Sequence, residues 1–143
     1  MAKRKATATW NGGITNGTGT MALGSGAFEG SFSVNTRMGD EPGTNPEELI
    51  GAALAGCFSM ALSGALEKAG HAPNKIETKA VVDFGKDDTG FAITGIALTT
   101  EVDVDGLSDE EFQKIAAETK TSCPVSKALK AVPIELSASL AKA

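Results

Sequence analysis

The stretch Asn45-Pro46-Glu47-Glu48-Leu49-Ile50-Gly51-Ala52-Ala53-Leu54-Ala55-Gly56-Cys57-Phe58-Ser59-Met60-Ala61-Leu62-Ser63-Gly64-Ala65-Leu66-Glu67-Lys68-Ala69-Gly70 decides the fold. Its start is marked three times. Asn45 suits the N-cap, Pro46 suits the first helical position, where its missing N–H costs nothing, and Glu48 can complete a capping box with Asn45. Gly70 suits the C′ position at the other end. The charge-free run from Leu49 to Leu66 touches the length of ~18 residues at which a membrane span becomes conceivable. Gly, Ala and Ser make up most of it, however, and no Lys/Arg asymmetry or aromatic belt flanks it. A helix apolar on every face in a soluble protein is the buried centre of its fold, and small residues let neighbouring elements approach closely.

Upstream of this helix the chain is rich in Gly and Thr. Lys5 to Trp10, Gly17 to Leu23 and Phe28 to Val34 read as extended, separated by Asn11-Gly12-Gly13, Asn16-Gly17 and Gly24-Ser25-Gly26 turns, which predicts an antiparallel meander. Asn35 to Thr44 is polar and reads as a loop. Downstream, Lys75 to Phe84 alternates as a strand, Gly85 to Gly90 turns it, and Phe91 to Val104 is a second long strand with Gly95 a candidate bulge. Ser108-Asp109-Glu110-Glu111 opens a helix, and a short helical piece follows Cys123-Pro124. Pro133 to Leu140 closes the chain as a strand. The expected class is α+β in a single domain, 1–143, with antiparallel sheets packed on a long buried central helix.

Composition narrows the chemistry. With 18 Asp+Glu against 13 Lys+Arg and a net charge of -5, the chain does not suit a nucleic-acid backbone. Lys3-Arg4-Lys5 leads into Ala6-Thr7-Ala8-Thr9 rather than an apolar core, so it does not read as a secretory signal, and a cytoplasmic protein without a membrane anchor is expected. One His and two Cys argue against a closed zinc site, which takes four ligands. His71, in Gly70-His71-Ala72-Pro73, reads as a solvated turn residue.

What remains is Cys57 and Cys123. In a reducing compartment two separated cysteines are most often buried and inert. Cys57 lies mid-helix among apolar residues, where burial raises a thiol pKa, and no Lys or Arg occurs between Arg37 and Lys68. Cys123 opens a short helix, whose unpaired N–H groups favour a thiolate. On these grounds alone Cys123 is the more acidic thiol. Glu47 at the second helical position reads as a solvated first-turn acid or as a free functional carboxylate. Ten residues separate it from Cys57, about 15 Å along the axis at ~1.5 Å per residue. If both serve one site, Glu47 acts through a long intermediary such as Arg37 or comes from a second copy of the chain.

Several segments together resemble the osmotically inducible protein C family of thiol-dependent peroxidases. They are Asn35-Thr36-Arg37, Gly43-Thr44-Asn45-Pro46-Glu47-Glu48-Leu49-Ile50-Gly51-Ala52-Ala53, Ala55-Gly56-Cys57-Phe58-Ser59-Met60-Ala61-Leu62 and Cys123-Pro124-Val125-Ser126. Asn35-Thr36-Arg37 and the Trp10 meander lean toward the branch that gives the family its name rather than the organic hydroperoxide resistance branch. The resemblance implies reduction of organic hydroperoxides to alcohols without haem, flavin or metal. It makes Cys57 the peroxidatic cysteine, which becomes a sulfenic acid, and Cys123 the partner that condenses with it to a disulfide. Arg37 would stabilise the thiolate and polarise the O–O bond, with Glu47 holding its guanidinium. The family resemblance further implies an intertwined homodimer and recycling by a dithiol, for some members a lipoylated protein. Leu54, Phe58, Met60, Leu62 and Met38 are expected either to line a dry substrate pocket or simply to form core. Two other readings stay open: a non-catalytic protein that binds an apolar ligand, and a redox sensor that forms the disulfide without turning over.

Overall fold

The computed structural model describes residues 1–142. They form β1 (Ala6–Asn11), β2 (Thr18–Leu23), β3 (Glu29–Phe32), α1 (Val34–Met38), α2 (Pro46–Lys68), β4 (Lys75–Asp87), β5 (Gly90–Asp103), α3 (Asp109–Ser122), α4 (Pro124–Ala128) and β6 (Ile134–Leu140). The chain divides into two compact units, Met1–Leu49 and Ile50–Ala143, with the division falling inside α2.

The first unit holds the expected meander, β1-β2-β3, antiparallel throughout. The segment read as a loop after it contains a helix instead. Ser33 caps α1 through a bond from the Thr36 N–H to its Oγ, and the Thr36 hydroxyl accepts from the Ser33 N–H in return. Five residues are too few for helical periodicity to register in the sequence, and the box here uses Thr in place of the usual Glu or Gln.

The start of α2 lies where the sequence places it, since the Glu48 N–H donates to Asn45 Oδ1 at 2.8 Å. Only that half of the anticipated box is among the bonds formed: the Glu48 carboxylate accepts from the Thr44 hydroxyl at 2.6 Å. At the far end Gly70 adopts φ +88°, and the bonds from Gly70 N–H to Glu67 O and from His71 N–H to Leu66 O close a Schellman cap. Burial corrects one expectation. Leu54, Phe58, Leu62 and Leu66, spaced by four, are fully buried, whereas Ala52, Ala53, Gly56, Met60 and Gly64 on another face are exposed. The helix is apolar all round, yet this single chain covers only part of it.

In the second unit β4 and β5 form a long antiparallel hairpin, and β6 pairs with β5 in parallel from Ile96↔Ile134 to Val102↔Leu140. The sheet is therefore mixed rather than antiparallel throughout. A parallel neighbour needs a crossover connection, and α3 and α4 supply it. Asp83 faces Gly95 but Phe84 faces Ile93, so Thr94 is the extra residue of a bulge beside the glycine that signalled it. The buried α2 residues pack with Ile96, Leu98 and Val102 of β5, Phe112 and Ala116 of α3, and Cys123. Gly51 permits this approach, because a Cβ there would stand 3.2 Å from Val82 Cγ2 and 3.5 Å from Ala80 Cβ. The one threonine in this row of β5, Thr100, is satisfied by Thr78 Oγ1 at 2.9 Å, and Ser59 donates to the same Thr78 oxygen at 2.7 Å.

Candidate functional site

Within the second unit, Cys123 ends α3 and begins α4. Pro124 disfavours helical geometry at the preceding residue, and Cys123 sits at φ -55°, ψ 125°, which breaks the two helices at the cysteine. Its N–H donates to Thr119 O and its carbonyl accepts from the Lys127 N–H, so its backbone is fixed from both sides. The side chain is fully buried. Cys57, half-buried on α2, meets it: the two Sγ atoms lie 3.0 Å apart, within hydrogen-bond reach, and both cysteines are free thiols. The two sulfurs stand about 1 Å further apart than the ~2.05 Å of a disulfide.

The two thiols titrate in opposite directions. Burial, followed by the hydrogen bond with Cys123, pushes Cys57 above the ordinary thiol value, against a smaller opposing effect of the Val125 N–H. Burial also opposes ionisation of Cys123. There the bond with Cys57, the Ser126 amide and hydroxyl, and the Val125 amide together outweigh it and pull the thiol below its ordinary value. This is the ranking that helix position alone suggests, with Cys123 the more acidic sulfur.

Within the first unit, the Thr36 hydroxyl donates to Thr44 O at 2.8 Å and the Thr44 N–H donates to Ser31 O at 2.8 Å, which ties α1 and β3 to the entry of α2. Arg37, in the last turn of α1, thereby meets Glu47, in the first turn of α2. Nε donates to both carboxylate oxygens, at 3.1 and 3.2 Å, and Nη2 donates to Oε1 at 2.6 Å. Glu47 is 6% exposed, so it is not the solvated acid that its position permits. Each pair thus forms within its own unit, Arg37 with Glu47 and Cys57 with Cys123.

Other expectations divide. The His71 ring Nδ1 lies 3.1 Å from Asp105 O. Leu54, Phe58 and Leu62 are fully buried core, while Met60 and Met38 are exposed. A cavity of about 250 Å³ occurs instead in the first unit, lined by Trp10, Ile14, Phe32, Ser33, Val34 and Arg37. Its aromatic wall follows from register: Trp10 and Phe32 both face Gly19, whose missing side chain lets their rings approach to 5.3 Å between centroids. Trp10, Gly19 and Phe32 in three adjacent extended segments were the available signal.

Residues 39–137 match the family model described as OsmC-like protein. The chain is 50% identical over 129 residues to "Peroxiredoxin OsmC" of Escherichia coli, covering 90% of each protein. It is 30% identical over 105 residues to "Organic hydroperoxide resistance protein-like 2" of Staphylococcus epidermidis, covering 71% of this chain and 72% of that protein. The crystal structure of an organic hydroperoxide resistance protein from Elizabethkingia anophelis superposes with a TM-score of 0.78 at 25% identity, over 100% of this chain and 98% of the other. The higher identity to the OsmC protein agrees with the branch indicated by Asn35-Thr36-Arg37. On these matches, and on a helix-and-two-sheet architecture shared with the solved structure, the chain belongs to the family of OsmC-like proteins.

Proposed function

We propose that this protein is a cysteine-based peroxidase that reduces organic hydroperoxides to alcohols. The observation that carries the reading is the pair of free thiols 3.0 Å apart, of which Cys57 alone retains accessible surface. A peroxide must reach the sulfur that attacks it, which assigns attack to Cys57 and leaves resolution to Cys123. The Cys57 thiolate attacks the terminal oxygen, the O–O bond breaks, and the alkoxide takes a proton and departs as alcohol. Cys57 is left as a sulfenic acid. The Cys123 thiolate then attacks the Cys57 sulfur, hydroxide leaves and is protonated to water, and a disulfide forms. An external dithiol reduces that disulfide and is itself oxidised to a disulfide. A lipoylated protein is the proposed donor, in a cytoplasmic setting.

Burial raises the Cys57 pKa, so ionising it calls for a cation. The resemblance gives that role to Arg37, and its fork on Glu47 supports it, because two bonds to one carboxylate fix the plane of the guanidinium. The aromatic cavity that Arg37 borders suits the alkyl or aryl part of a hydroperoxide better than hydrogen peroxide.

We further propose that the working unit is an intertwined homodimer. Ala52, Gly56, Met60 and Gly64 expose a small, uncharged face on α2, and Trp10, Ile14, Leu23 and Phe28 are exposed in the first unit, which buries no large apolar side chain among the described residues. The function is tested by steady-state consumption of cumene hydroperoxide with dithiothreitol. Turnover that falls at least a hundredfold in Cys57→Ser supports the assignment, whereas a loss of less than tenfold removes Cys57 from the attacking role. Disulfide formation without turnover would identify a sensor, and neither would leave a non-catalytic binding protein.

A further inference from the structure

A second cavity, of about 520 Å³, lies in the second unit beside α4. Its charge is opposite to that of the protein. Lys120, Lys127 and Lys130 line it and no carboxylate does, in a chain of net charge -5. Among the described residues none of these three lysines forms a salt bridge. Like charges gathered without a counter-charge repel one another, so the cavity favours an anion.

A second observation sets the position of that anion. Ser126 also lines the cavity, is 8% exposed, and its Oγ has no formed hydrogen bond although it lies near enough to the Cys123 sulfur to favour the thiolate. Buried hydroxyls nearly always have partners, because an unmade bond leaves the desolvation cost uncompensated. A carboxylate oxygen in the cavity would accept from this hydroxyl while the lysines balance its charge. The remaining wall is aliphatic, formed by Leu129, Val132 and Ile134. Lysines, one buried donor and a hydrocarbon wall together match an amphiphile with a single anionic end.

We propose that this cavity is a binding site for an aliphatic carboxylate, with the carboxylate on Ser126, Lys127 and Lys130 and the chain against Leu129, Val132 and Ile134. The proposal does not depend on the peroxidase reading.

The probe is octanoate, titrated into the full-length reduced protein and followed by the backbone amide signals in NMR spectra. Octanamide and inorganic phosphate serve as controls that keep only the chain or only the charge. The expected result is saturable binding of octanoate, with shifts concentrated in residues 120–134 and each control at least about tenfold weaker, since a hydrogen bond to a charged group has that worth. Lys127→Ser with Lys130→Ser, both at exposed positions, should weaken octanoate about tenfold or more, and Ser126→Ala by a smaller factor, at unchanged thermal midpoints. A midpoint lowered in Ser126→Ala leaves the decision to the lysine variant. The proposal is overturned by equal binding of octanamide, by equal binding of phosphate, by shifts centred elsewhere, by undiminished binding in the lysine variant, or by no saturation at all.

Discussion

Two sulfurs 3.0 Å apart cannot both hold a full negative charge, so Cys57 and Cys123 ionise in sequence. The amides and hydroxyl around Cys123 pull the first ionisation below the ordinary thiol value of about 8.5, and burial holds the second, centred on Cys57, above it. The signs for stability follow. Cys123, with a depressed pKa, contributes stability above the unfolded thiol value and loses it as pH falls through the folded one. Cys57, with a raised pKa, contributes below the unfolded value and loses it as pH rises through the folded one. Thiolate absorbance should therefore show two steps straddling the ordinary value, and a single unshifted step for both sulfurs would contradict this. The Arg37–Glu47 pair makes a different prediction. Glu47 is nearly buried and the Arg37 side chain is 39% exposed, so their losses are unequal. Arg37→Met strands a buried carboxylate and should destabilise by about 2–4 kcal/mol, while Glu47→Gln leaves a guanidinium that water can reach and should cost about 1 kcal/mol. Equal losses in chemical denaturation would refute the asymmetry. At this scale the sequence told unevenly. The separate tendencies of Cys57 and Cys123 could be read from helix position, but nothing in a spacing of 66 residues brings the sulfurs together; only the motif resemblance did.

The elements differ in how plainly they announce themselves. Both ends of α2 were legible because Asn45, Pro46 and Gly70 act locally, through bonds to backbone groups a few residues away. Its buried face was not, since a helix apolar all round gives no periodic contrast to say which side meets β5. Likewise, alternation in Ile134 to Leu140 shows a strand but not its direction, and the parallel pairing of β6 became visible only with the crossover through α3 and α4. Gly51 tests the packing of α2 on the sheet. Gly51→Val adds atoms where a Cβ already meets Val82 and Ala80, and should destabilise by about 1–3 kcal/mol despite removing a helical glycine. Gly56→Ala, with nothing within 4 Å of the new Cβ in the single chain, should stabilise an isolated protomer by about 1 kcal/mol. An unchanged or raised denaturation midpoint in Gly51→Val would show that the sheet contact is not tight.

At the scale of the whole molecule, the exposed face of α2 and the coreless first unit lead to the proposed dimer. The chain should elute with a hydrodynamic mass near twice 14.5 kDa, and Met60→Asp, at a position 77% exposed in the single chain, should shift it toward the protomer. A wild-type mass of one protomer, or a Met60→Asp variant that remains dimeric, would deny that face its role. The central claim, however, is that the two thiols act as one redox unit with attack at Cys57. It is tested most directly by adding one equivalent of cumene hydroperoxide to the reduced protein and reading intact mass and disulfide linkage by mass spectrometry. The account predicts loss of two hydrogens and a Cys57–Cys123 linkage in the wild type, one added oxygen on Cys57 in Cys123→Ser, and an unchanged mass in Cys57→Ser. Oxidation of Cys123 in Cys57→Ser at the wild-type rate, or wild-type protein left fully reduced, would contradict it.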